Sequence, residues 1–162
     1  MKTRIVAFMQ NPWFPAGTSR EKIHAYKTVQ RYHQDVLKET MSGYRLIQAF
    51  GEEMFRRIYW DNVAPEPADN ARGVTPVDMK HVEAIIAVND PHLILTFGKV
   101  AEDTLKKSVA SINRHMMHCH HPNARSMTQS DLDIFAWQVW DWVNLHDRND
   151  EFTAGDKDES TN

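Results

Sequence analysis

The chain has 162 residues, 41% hydrophobic and 25% charged, a size and balance that suit one globular domain able to bury its own core. Its single cysteine, Cys119, excludes an intramolecular disulfide and a four-cysteine zinc or iron–sulfur site built by this chain alone, and no apolar run approaches the roughly 20 residues of a bilayer span. The formal charge of -3 is unevenly spread: after Asn149, five acidic residues against Lys157 give about -4, so the rest of the chain is near +1.

Arg4 to Phe8 is a short apolar, β-prone run that stops at Asn11-Pro12, as a buried strand does. Ser19 to Glu39 lacks Pro and Gly and spaces Ile23, Val29, Val36 and Leu37 for one long amphipathic helix. Tyr44 to Phe50 predicts a second helix ending at Gly51, and Phe55 to Trp60 a second strand stopping at Asp61-Asn62. A loop with Pro, Asn and Gly from Pro65 to Pro76 leads into a helix over 77–88, closed by Asn89-Asp90-Pro91. Leu93 to Phe97 predicts the third strand. Gly98 turns it into a helix of about Val100 to Lys107, and Ile112 to Cys119 predicts a fourth strand that stops at His121-Pro122. Ser130-Asp131-Leu132-Asp133 has the form of a capping box opening a helix with Phe135, Val139, Trp142 and Val143 on one face.

Alternating strands and helices predict an α/β domain over 1–148, three-layered, with a parallel sheet covered on both faces. The acidic tail over 149–162 reads as disordered. The short apolar stretch after the basic start Met1-Lys2-Thr3-Arg4 leaves the expectation of a soluble, cytoplasmic protein with no membrane contact. Ligands of parallel sheets bind beyond the carboxyl ends of the strands. Three of those ends carry residues able to read or polarise a base: Asn11, Asn62 and His121.

Four segments bear on chemistry. Met9-Gln10-Asn11-Pro12-Trp13-Phe14 resembles the first motif of the uracil-DNA glycosylase superfamily, written G-Q-D-P-Y-H in one branch and G-x-N-P-G in others. Ile58-Tyr59-Trp60-Asp61-Asn62-Val63 resembles its L-L-L-N-T segment, and His120-His121-Pro122-Asn123-Ala124-Arg125-Ser126 its H-P-S-P-L-S motif. Ile94 to Ala101 resembles the third-strand segment with its Gly-Ser loop. The four occur in the family's order, and the resemblance they anchor extends over most of residues 4–145.

The resemblance implies a four-stranded parallel sheet in order 2-1-3-4 and a monofunctional DNA glycosylase. Such an enzyme flips out uracil or a related modified pyrimidine and hydrolyses its N-glycosidic bond without a cofactor or metal. The implied partner is DNA, single-stranded or mismatched duplex; no obligate protein partner is implied. Asn11 would orient the attacking water, since an amide oxygen positions water but does not take its proton. His121 would donate a hydrogen bond to O2 of the departing base, where negative charge develops. Asn62 would read the base edge, its amide offering a donor and an acceptor side by side. Gln10, Trp13 and Phe14 fall on the base-binding side, Trp13 where one branch rejects the C5 methyl of thymine. The stacking aromatic is Phe14, His24 or Tyr26, with Phe14 taken here. Gly98 and Lys99 would meet a phosphate. Arg125 stands where the family inserts leucine into the duplex, with Ser126 closing the motif. Met9 in place of glycine, and Asn123-Ala124 in place of Ser-Pro, depart from the pattern.

Other readings compete. His115-Met116-Met117-His118-Cys119-His120-His121 has metal-ligand side chains, but a strand's pleat puts His118 and His120 opposite His115, Met117, Cys119 and His121. Trp137, Trp140 and Trp142 suit core packing or an oligomer contact better than base stacking. A relative that keeps the base pocket and binds DNA without efficient cleavage is the non-enzymatic alternative.

Overall fold

A computed structural model describes residues 2–12, 18–28, 32–68 and 73–155. Its centre is a four-stranded, all-parallel sheet in the order β2-β1-β3-β4. The strands are β1 (Ile5–Met9), β2 (Ile58–Asn62), β3 (Leu93–Phe97) and β4 (His115–Cys119). β1 and β3 are buried along their whole length, as expected of inner strands covered on both faces.

The pleat sorts side chains into two cores. Ile5, Ala7, Met9, Ile58, Trp60, Leu93, Leu95 and Phe97 face α3 (Met41–Arg57) and α6 (Gln129–Gly155), meeting Leu46, Phe50, Phe55, Phe135 and Val139. Val6, Phe8 and Ile94 face α4 (Met79–Asn89) and α5 (Lys99–Lys107), meeting Val82, Ile86, Ala101 and Leu105. Helix, sheet and helix thus form three layers. The long helix expected over 19–39 is described as two pieces, α1 (Arg20–Thr28) and α2 (Tyr32–Lys38), with residues 29–31 outside the described residues.

Four boundaries differ from the sequence reading. Gly51 leaves helical geometry at φ 76°, but the chain returns to helix up to Arg57, so β2 starts at Ile58 and not at Phe55. Met54 and Phe55 are fully buried helical residues, and an apolar pair does not distinguish helix from strand. The stretch before β4 is a 3-10 turn, Val109–Ser111, followed by Asn113 in the left-handed region at φ 68°, so that strand starts at His115. The capping box of α6 is Thr128 with Asp131: the Asp131 N–H donates to Thr128 Oγ1 (3.1 Å), and the Thr128 N–H donates to Asp131 Oδ2 (3.0 Å). α6 then runs past Asn149 to Gly155, so the first residues of the expected tail are helical.

Two indoles serve the helix ends behind the sheet. Trp140 Nε1 donates to the Phe50 carbonyl just before the Gly51 break, and Trp60 Nε1 donates to the Phe55 carbonyl. Trp142 stacks between His115 and His146, whereas Trp137 is exposed. No helix among the described residues is long and apolar enough to cross a membrane.

Candidate functional site

A cleft of about 430 Å³ opens at the carboxyl ends of the strands. Its floor comes from Met9, Gln10, Asn11 and Pro12 after β1 and from Trp60, Asp61 and Asn62 at the end of β2. His121 and Asn123, after β4, close one side. The opposite wall is Val36 and Leu37 of α2 with Thr40, Met41 and Ser42 at the start of α3. Gln10, Asn11, Asn62 and His121, assigned to one site from the sequence, therefore line one cavity.

Backbone pairing sets their spacing. Met9 is in register with Asn62. Beyond the strands the pairing continues, the Val63, Ala64 and Ala68 N–H groups donating to the Met9, Gln10 and Pro12 carbonyls at 2.8–2.9 Å. The turn after β1 cannot slide relative to the end of β2 without breaking these bonds. Within that turn Asn11 Nδ2 donates to the Pro12 and Gly73 carbonyls, both at 3.3 Å, so the amide NH2 is engaged and Oδ1 is left as the acceptor.

His121 is fixed by its own loop. The Asn123 N–H donates to Nδ1 at 3.1 Å, so Nδ1 holds a lone pair, and burial pushes the ring's pKa below the usual histidine value. The neutral ring must then carry its proton on Nε2, which makes Nε2–H a hydrogen-bond donor. Gly98, at φ +93°, packs behind it: a side chain's first carbon there would lie 3.6 Å from the His121 Cβ.

The remaining assignments fall elsewhere. Trp13 and Phe14 lie outside the described residues, and so does the Tyr26 side chain. His24 is exposed on α1. Lys99 is exposed but ion-paired on its own helix with Asp103 (2.8 Å) and Glu102 (3.7 Å), and Gly98 has its N–H on the Cys119 carbonyl. The phosphate contact expected of that corner would have to displace these carboxylates. Arg125 and Ser126 are exposed in the turn after His121 and do not line the cleft.

The structure also brings forward residues that the sequence did not single out. Asp61, with a fully buried side chain, accepts from the Asn62 N–H (2.7 Å) and from His81 Nε2 (3.0 Å) through the same oxygen, Oδ1. Its hydrogen bond raises the His81 pKa against the opposing effect of burial. Arg45 of α3 reaches the loop that carries His121. Gly43 sits where α3 meets α2, and any side chain there would run into the Leu37 carbonyl. Neither lysine nor arginine is among the described lining residues, so the cleft suits an uncharged, hydrogen-bonding ligand better than an anion.

The histidine-rich strand is divided by its pleat. His115 stacks on Trp142 of α6, while His118 bonds Thr96 (3.1 Å) and approaches Glu102 of α5 (3.5 Å). Among the described residues no three His, Cys, Asp or Glu side chains gather as a metal site would need. No known protein family matches the chain, and no curated protein matches it.

Proposed function

We propose that this protein is a monofunctional DNA glycosylase that takes an extrahelical uracil, or a related modified pyrimidine, into the cleft and hydrolyses its N-glycosidic bond. The observation that carries the reading is the Asn123 N–H donating to His121 Nδ1, which leaves Nε2 as the ring's donor, in the same cleft as the Asn11 and Asn62 amides. A pyrimidine leaves as an anion with charge on O2, and a preorganised neutral donor stabilises that charge where it develops. Asn62 offers the paired donor and acceptor that a uracil edge complements. Asn11, held by its NH2, keeps Oδ1 for a water. That water adds to C1′ as the C1′–N1 bond breaks, its proton is lost to solvent, and an abasic sugar remains.

The test is incubation of the purified protein with labelled oligonucleotides containing U, T or a modified pyrimidine, with chelator present, followed by alkali. Strand scission that appears only after alkali, on uracil in single-stranded or mismatched DNA, is the expected result. A second reading, a protein that binds the base without efficient cleavage, is favoured by the state of the only carboxylate among the described lining residues: Asp61 is fully buried and already bonded to His81. Selective binding of uracil-containing DNA with no abasic product would select it.

Arg125 provides a separate test. Its exposed position next to the His121 turn suits a side chain that fills the gap left by a flipped base, so Arg125→Ala is expected to reduce activity on duplex DNA more than on single strands. Equal losses on both would remove that role. Salt dependence should be shallow, because Lys99 is paired and no cation lines the described cleft.

A further inference from the structure

The loop from His121 to α6 is two successive turns: the Ala124 N–H donates to the His121 carbonyl (2.8 Å) and the Met127 N–H to the Ala124 carbonyl (2.9 Å). Such a loop has few internal bonds and no strand neighbour to hold it. One side chain from another element spans it. Arg45 Nη1 donates to the Pro122 carbonyl, Nη2 to the Met127 carbonyl at 2.8 Å, and Nε to Gln129 Oε1 at 3.2 Å. Gln129 Nε2 returns to the Arg45 carbonyl at 3.2 Å. The guanidinium therefore holds the residue after His121, the residue where the loop ends, and the first turn of α6.

We propose that Arg45 is a positioning residue for His121: from α3 it clasps both ends of the loop and so holds the Asn123 N–H against Nδ1. Arg45 does not line the cleft and touches no reacting atom, so it acts only through the histidine. The role rests on the glycosylase reading for its catalytic consequence, but not for its structural one. A rigid fork with five donors can hold two carbonyls five residues apart along the chain, whereas a lysine ammonium has no planar fork to span them.

The experiment compares wild type with Arg45→Ala, Arg45→Lys and Gln129→Ala. Single-turnover rate and KM are measured on uracil oligonucleotides, and the protonation of the two His121 ring nitrogens is read by nitrogen-15 NMR. Arg45→Ala is expected to lower kcat on the order of 10²-fold with KM little changed, the loss that accompanies displacement of a reacting group by about 1 Å. Its His121 spectrum should change from a single Nε2–H tautomer to a mixture. Arg45→Lys should fall between, and Gln129→Ala, which leaves the Pro122 and Met127 carbonyls held, should lose less than Arg45→Ala. A folded Arg45→Ala with wild-type kcat and an unchanged ring spectrum overturns the proposal. If the parent protein releases no base, the glycosylase reading fails by itself, and the ring spectrum alone decides the bracing role. If Arg45→Ala does not fold, Arg45→Lys decides: a wild-type rate and spectrum in that variant also overturn it.

Discussion

Asn11→Ala and His121→Ala are each expected to slow base release by roughly two orders of magnitude or more, the usual loss when a preorganised donor or water-positioning group is removed. The two should differ in detail. Asn11 is held by the Pro12 and Gly73 carbonyls, so its replacement frees two acceptors and removes the water's partner together. His121 is held by one backbone N–H, so its loss leaves the turn largely intact and removes only the donor. Because burial lowers the His121 pKa, the midpoint of any change in the wild-type rate as the ring protonates should lie below about 6.5, where an ordinary histidine is half protonated. Single-turnover kinetics on both sides of that pH, with both variants alongside, checks the assignment. Wild-type rates in both variants would mean that the cleft has been assigned the wrong residues.

The largest effect on stability is expected from His81→Ala. Asp61 is wholly enclosed, and removing the ring leaves a buried carboxylate with only the Asn62 N–H on one oxygen. Breaking such a pair from one side costs about 3 kcal/mol, the lower end of the usual range because the His81 side chain is 26% exposed. The pH dependence has a definite sign. The folded-state pKa of His81 is raised by its hydrogen bond to Asp61, so its contribution is complete below the unfolded value of about 6.5 and fades as pH rises through the folded value. His121, whose pKa is lowered, acts in the opposite sense, but it is common to both proteins and cancels in the difference. Urea unfolding at several pH values from about 6 to 9 should show the gap between wild type and His81→Ala narrowing upward. A gap that stays constant would mean that ring and carboxylate are not paired in solution.

The central strands are legible because they carry their message in their own residues. Ile-Val-Ala-Phe-Met and Leu-Ile-Leu-Thr-Phe are unbroken apolar runs with turn residues behind them, and both are buried throughout. Boundaries fail where one residue type serves two structures. Phe55 is as suitable for a buried helix as for a strand, and Ile112 is exposed in a turn despite its β-prone side chain. Asn11, Asn62 and His121 could be picked out because they stand at strand ends, where a parallel sheet collects its ligands. Arg45 could not: its loop partners lie 77 to 84 residues further along the chain, and on a helix it reads as an ordinary charged residue. His81, 20 residues from Asp61, has the same problem. Lys99 is the reverse case: its charge is plain in the sequence, and the helix pairs it with Asp103 one turn away.

The meeting of α2 and α3 at Gly43 sets how this pocket can be altered. Met41 and Val74 line the cleft with 66% and 75% of their surface open, so substitutions there change its mouth without disturbing what lies beneath. Gly43 has no such freedom, because even a methyl group would push α3 away from the Leu37 carbonyl and move Thr40, Met41 and Ser42 with it. Evolution or a designer seeking a new ligand preference therefore has a soft rim and a hard corner. Variation at 41 and 74 tunes what is admitted, and at 43 glycine is the only residue that keeps the wall in place.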